Sequence, residues 1–223
     1  MHSKISKNLL LLALLLGTIS NANAYQNKQP RKSGLYLGVD MIRSFTQHKY
    51  LSEQATEDGE PITVNGYYSN GQKNGFGFNL GYKAAARRLF VAPEIFYEQL
   101  NNSAKDFGSD LYPSTSGHRL EVNNRYGAKV NLGYNLFANL NIFASAGLAN
   151  VAYAMNLYSV NHTRKGVVQA SPIYGGGLSY DLNNHWIIKA SYDWQQFITR
   201  FDYAFEKDRI VLQTVKAGIA YKF

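Results

Sequence analysis

The chain has 223 residues, 45% of them apolar, 14% aromatic and 17% charged, with 19 glycines, 17 tyrosines and no cysteine. That length allows one domain or two small ones, and the missing cysteine rules out disulfides, thiolate metal sites, cysteine nucleophiles and a lipidated cysteine anchor. The formal net charge is +8, but no basic run is interleaved with aromatic residues, so the basicity points to a membrane or cell-wall polymer and away from nucleic acid.

The first 24 residues read as a secretory signal. Lys4 and Lys7 precede an unbroken apolar run over 9–16, and Ala22-Asn23-Ala24 is a small-residue cleavage motif that places the mature start at Tyr25. The run is too short to span a bilayer, which takes about 20 residues. Residues 25–33 form a tail, and nothing later resembles a transmembrane helix. The mature chain is therefore free in the periplasm or crosses the outer membrane as a closed barrel.

From residue 34 onward a hairpin rhythm repeats. Four segments, 76–82, 126–134, 174–180 and 215–221, alternate with period two and close on aliphatic, small, Tyr: Tyr82, Tyr134, Tyr180 and Tyr221. Short linkers follow the first three, at 83–88, 135–140 and 181–185, and each leads into a new strand, at 89–100, 141–153 and 186–197. With 34–45 at the front the strands number eight, an even count that closes into an up-and-down antiparallel barrel. Long polar stretches at 46–74, 101–124, 154–169 and 198–208 read as loops at the other end. The tyrosines then form an aromatic girdle on the short-turn side. Periodicity alone leaves open which face is apolar, because a soluble lipocalin-like barrel also alternates.

The final strand is the most specific stretch. Val215, Ala217, Ile219, Tyr221 and Phe223 make one apolar face, while Lys216, Gly218, Ala220 and Lys222 make a small or charged one. This ending resembles the closing strand of Gram-negative outer-membrane barrels, in which a terminal aromatic residue is an assembly signal. The hairpin rhythm is similar to that of the eight-stranded group of OmpA, OmpX and the opacity proteins. The resemblance implies an integral outer-membrane barrel over 34–223, with short periplasmic turns and long external loops. Its partners would be membrane lipid, the barrel-assembly machinery through Phe223 and Tyr221, and host or extracellular ligands through the loops.

The alternation also assigns an interior. Asp40, Glu94, Glu98 and Asp193 face inward with Arg125, Lys129, Lys189 and Lys216, four acids against four bases. A barrel of this size is just wide enough for side chains to fill it, so paired charges read as a plug. Strand register suggests an Asp40–Lys216–Asp193 cluster, a Glu94–Lys129 pair and Arg125 near Glu98. Lys83, Arg87 and Arg88 form a basic periplasmic rim facing anionic headgroups. His48, His118 and His162 fall in loops and His185 in a turn, so no serine–histidine–acid set forms on a wall and no catalytic residue is assigned. No cofactor or metal site is read. Gly175-Gly176-Gly177 has no helix pattern after it, so it is no phosphate loop and instead eases curvature or close approach. Three functions remain: an adhesive surface barrel, a small porin, and a lipid-modifying enzyme.

Overall fold

The computed structural model describes residues 33–55, 61–86, 88–106, 118–137, 139–157, 162–200 and 207–223. The expected leader, the tail up to residue 32, and Arg87 lie outside the described residues. Eight strands follow: β1 (Gly34–Ala55), β2 (Pro61–Ala86), β3 (Leu89–Asp106), β4 (His118–Asn135), β5 (Leu140–Leu157), β6 (His162–Asp181), β7 (Trp186–Arg200) and β8 (Lys207–Lys222). Each pairs antiparallel with its neighbour, and β8 returns to β1 from Tyr36↔Lys222 to Leu51↔Lys207, closing the barrel.

Side chains obey the two-residue period on every wall. Leu35, Leu37, Val39 and Met41 of β1 point outward, Met41 being 79% exposed, while Tyr36, Asp40 and Ile42 point inward. The polarity is inverted relative to a soluble protein: Arg125 and Asp193 are 0% exposed while Leu132, Leu148 and Val215 are at least half exposed. Left in water, each such side chain forfeits roughly 1.5–3 kcal/mol of transfer free energy. That surface belongs in lipid, which removes the lipocalin-like alternative.

The short turns are tightly bonded. In the β4–β5 turn, Leu136 N donates to Leu140 O at 2.9 Å, and Asn135 N reaches Arg88 O in the neighbouring turn at 2.7 Å. In the β6–β7 turn, Asn183 Oδ1 accepts from the backbone N–H groups of His185 and Trp186 at 2.8 and 2.9 Å, an asparagine turn.

At the opposite end the strands run further than the sequence pattern suggests. Stretches assigned to loops continue as strand, so that Gln47 pairs with Asn70 and Ala55 with Pro61. Backbone ladders need no lipid-facing alternation, and once the outer face meets water the pattern fades there while the hydrogen bonds persist and the inner face stays apolar. Asn101, with φ of 47°, sits at a register shift between Gln99 and Asn102; asparagine tolerates this left-handed conformation at a bulge.

Two ladders stop partway. Among the described residues, β2 and β3 pair no higher than Phe76↔Gln99, and β6 and β7 no higher than Ile173↔Gln195. Beyond those points the wall divides into two four-stranded sheets, β7-β8-β1-β2 and β3-β4-β5-β6. An apolar core lies between them. Ile42, Phe197, Ile210 and Leu212 come from the first, and Leu100, Ala104, Leu120, Val122, Val151 and Tyr153 from the second. The Tyr153 and Phe197 rings meet across it at 5.5 Å. A sandwich thus stands on a barrel. Side-chain amides tie the seams where the ladders end: Gln195 Nε2 donates to Ser171 Oγ at 2.8 Å, Gln169 Nε2 to Ile198 O at 2.9 Å, and Asn102 Nδ2 to Ser44 Oγ at 3.1 Å.

Candidate functional site

Among the described residues, charged side chains converge in the lumen. Its geometry starts from the β3–β4 hairpin, whose register sets Glu94 opposite Lys129 and Glu98 opposite Arg125. Glu98 is held by Arg125, with Nη2 at 2.6 Å and Nε at 2.8 Å, and by Lys216 Nζ at 2.8 Å from the far wall. Asp193 takes Lys216 at 2.5 Å and Lys129 at 3.0 Å, with Arg125 at 4.0 Å. Glu94 takes Lys189 at 3.0 Å, the Tyr36 hydroxyl at 2.8 Å and, at 3.6 Å, Lys129. At the centre lies the Phe96 ring, whose centroid is 5.4 Å from Lys129 Nζ, 5.7 Å from Lys216 Nζ and 5.9 Å from the Arg125 guanidinium carbon. Three cations around one aromatic face, alternating with three carboxylates, gain both ion-pair and cation–π attraction in a dry site.

Asp40 stands apart from this cluster. Among the described residues no ion pair joins it to Lys216; its Oδ2 accepts from Asn79 Nδ2 at 2.7 Å on the neighbouring strand. The reason is register. Asp40 lies opposite Gly77 and Gly218, whereas Lys216 lies opposite Ile42, further from the periplasmic end, and extends toward Glu98 and Asp193. Glycines make room for Asp40 and for Asp193. A Cβ on Gly218 would collide with Asp40 Oδ1, and one on Gly175 with Asp193 Oδ1.

The periplasmic rim also differs from its expected form. Lys83 turns into the barrel and is buried, its Nζ 3.2 Å from Asp181 Oδ2 and 4.8 Å from the Phe90 centroid. Its parity on β2 is inward, which overrides the charge's preference for water once an acid waits there. Arg87 lies outside the described residues, and Arg88 is exposed, donating to the Tyr134 hydroxyl at 3.1 Å. Above the Lys83–Asp181 pair sits a small cavity of about 40 Å³ walled by Tyr36, Phe90, Phe143, Ile187 and Lys189.

Tyr82, Tyr134, Tyr180 and Tyr221 all face outward near the short turns, cross-strand from Leu35, Leu89, Leu140 and Trp186. Tyr221 stacks on His185 at 5.5 Å and meets Trp186 and Phe223 edge-on at 5.1 Å each. Phe223 N donates to Leu35 O at 2.9 Å, fixing the chain end to β1. His48, placed in a loop by the pattern, lies on β1 with its side chain buried. Sequence reasoning missed the upper apolar core. The signal was there in the inward parity of β8, which runs Lys216, Thr214 and then Leu212, Ile210.

An inside-out antiparallel barrel is what the outer membrane protein beta-barrel domain describes, and the model of that family matches residues 9–223. The chain belongs to this family. It is an integral protein of the outer membrane. No curated protein matches the chain. Among solved structures it is similar to OprG from Pseudomonas aeruginosa, at 13% identity and TM-score 0.50, covering 86% of this chain and 97% of that one. It is also similar to Neisserial surface protein A, at 14% identity and TM-score 0.47 over 86% and 99%. A third is Ail, the attachment invasion locus protein of Yersinia pestis, solved with the heparin analogue sucrose octasulfate, at 16% identity and TM-score 0.40 over 84% and 99%. At these identities the likeness is one of fold.

Proposed function

We propose that this outer-membrane barrel is a surface scaffold with a closed lumen, holding its external strands and loops toward host or other extracellular ligands. One observation carries the reading: the lumen is filled at two successive levels. The ionic cluster around Phe96 occupies the membrane-spanning part, and the apolar core between the two sheets lies beyond it. A hydrated ion would have to break several buried ion pairs and then cross a dry layer, which disfavours a porin. Among the described residues no serine–histidine–acid set for acyl transfer is assembled, which gives no support to a lipid-modifying enzyme. The extended hairpins, such as β1–β2 paired as far as Ala55↔Pro61, raise a polar sheet above the lipid, where recognition belongs on a rigid scaffold. Assembly in this reading runs through residues 1–24 as leader, and through β8 and Phe223 as the contact for the barrel-assembly machinery.

Planar-bilayer recording and a binding screen test it. The refolded protein should give no unitary conductance, and any matrix or serum protein it captures should be lost when 49–69 is deleted. A steady open channel would replace the scaffold with a porin.

A further inference from the structure

The external strands leave several sheet edges without a neighbour among the described residues, and one edge differs from the rest. The β2–β3 ladder ends at Phe76↔Gln99, and further out Asn102 Nδ2 still reaches Gly71 O at 3.4 Å. Beyond that contact, Pro61–Asn70 of β2 pairs with β1 alone among the described residues. A strand paired on one side only presents a row of backbone N–H and C=O groups on the other. The remaining open stretches all carry charge: Lys105 and Asp106 on β3, Arg164 and Lys165 on β6, Arg200 on β7, and Glu53 on β1. Edge charges of this kind discourage a foreign strand from adding to a sheet. On β2 no residue from Pro61 to Gln72 is charged. A register shift opposite Tyr50 divides this edge into two regular runs, Pro61–Asn65 and Tyr68–Asn70. Pairing of β1 with β8 ends at Leu51↔Lys207, so the outermost part of the β1–β2 ribbon has no third strand among the described residues. A two-stranded ribbon is marginally stable in water by itself, and a third strand would stabilise it.

We propose that the β2 edge over Pro61–Asn70 is a strand-addition site for an extended cationic segment of an extracellular protein. The proposal rests on the surface-scaffold reading and names the chemistry of its partner. Main-chain hydrogen bonds along an added strand supply affinity without a preformed pocket. Charge decides the sign of the partner. Residues 50–72 include Glu53, Glu57, Asp58 and Glu60 and neither lysine nor arginine. Two copies of this chain would bring two acidic hairpins edge to edge, which disfavours self-pairing. Lysines or arginines on an added strand meet opposite charge instead.

Fluorescence anisotropy and amide hydrogen exchange test it on the full-length protein refolded in phosphatidylcholine vesicles. The probe is a labelled synthetic peptide in which lysine alternates with valine or threonine. It should bind and slow exchange within 61–70. N-methylation of all its amides should weaken binding at least about fivefold, the equivalent of one net hydrogen bond. The same peptide with glutamate in place of lysine should bind more weakly at low salt, where charges are least screened. Thr63→Lys, opposite Glu53 on β1, supplies the missing edge charge and should weaken the lysine peptide while leaving the folded barrel's electrophoretic mobility unchanged. The proposal is overturned by an absence of binding, by binding indifferent to N-methylation, to the sign of the peptide's charge or to Thr63→Lys, and by slowed exchange confined to other strands. Slow exchange over 61–70 that grows with protein concentration in the absence of peptide also overturns it and assigns the edge to a second copy. The scaffold reading is judged separately, by the conductance record.

Discussion

Lys216→Met probes the lumen most directly. The ammonium lies 2.8 Å from Glu98 and 2.5 Å from Asp193, and all three side chains are 0–2% exposed. Removing one partner of a buried pair costs about 3–5 kcal/mol, because the other charge is left desolvated. Here two carboxylates lose a partner, but neither is left alone. Glu98 keeps Arg125 at 2.6 Å and Asp193 keeps Lys129 at 3.0 Å. The methionine also refills most of the volume beside Phe96. The loss should therefore sit at the lower end, about 3 kcal/mol. Lys222→Met is the comparison: same strand, same inward parity and also buried, but at the periplasmic mouth beside Gly34, where among the described residues no ion pair holds it; no carboxylate loses a partner there, so the change should cost less. Urea unfolding in vesicles, followed by tryptophan fluorescence, measures both. Equal costs would mean that the ionic cluster contributes no more than a lysine outside it, and the reasoning would fail.

Three further outcomes are expected. Phe197→Ala opens a cavity in the apolar core against Tyr153 and should cost about 3–5 kcal/mol by the same titration; a loss near zero would show that the two sheets do not depend on this core. Gly175→Ala should cost about 1–3 kcal/mol by driving a methyl into Asp193, and Gly176→Ala, whose Cβ meets mainly the Phe143 carbonyl, should cost less; the reverse order would refute the crowding argument. Deleting Phe223 should lower outer-membrane insertion while leaving secretion intact, measured by surface labelling against periplasmic yield; normal surface levels would remove its role as an assembly signal.

The barrel is legible because its wall is periodic and its turns are short. An aliphatic, small, Tyr ending marks the periplasmic end of each even-numbered strand, and parity then decides the side chains' direction as far as the upper interface. Pairs within one hairpin can be counted from the turn, as with Glu94 and Lys129. Contacts across the lumen cannot be counted in this way. Asp40 meets Asn79 instead of Lys216 because the choice depends on side-chain reach and on the space left by Gly218. Lys83 departs from its expected place for a related reason: a lysine beside a turn looks solvated in the sequence, whereas Asp181, distant along the chain, draws it inward. The external strands look like loops because their outward-facing apolar positions end where lipid ends, although their backbone pairing and their inward apolar positions do not.

The division at the β2–β3 and β6–β7 seams bears on how such a surface can diversify. Within the closed ring every strand's register is tied to all the others, so one inserted residue would have to be absorbed around the whole circuit. Beyond the seams that constraint is lifted. A hairpin there answers only to the strands of its own sheet and to the facing core, so lengthening or replacing one leaves the ring's hydrogen-bond register untouched. The molecule can present new outward faces to a changing environment while the lipid-embedded ring keeps a single geometry.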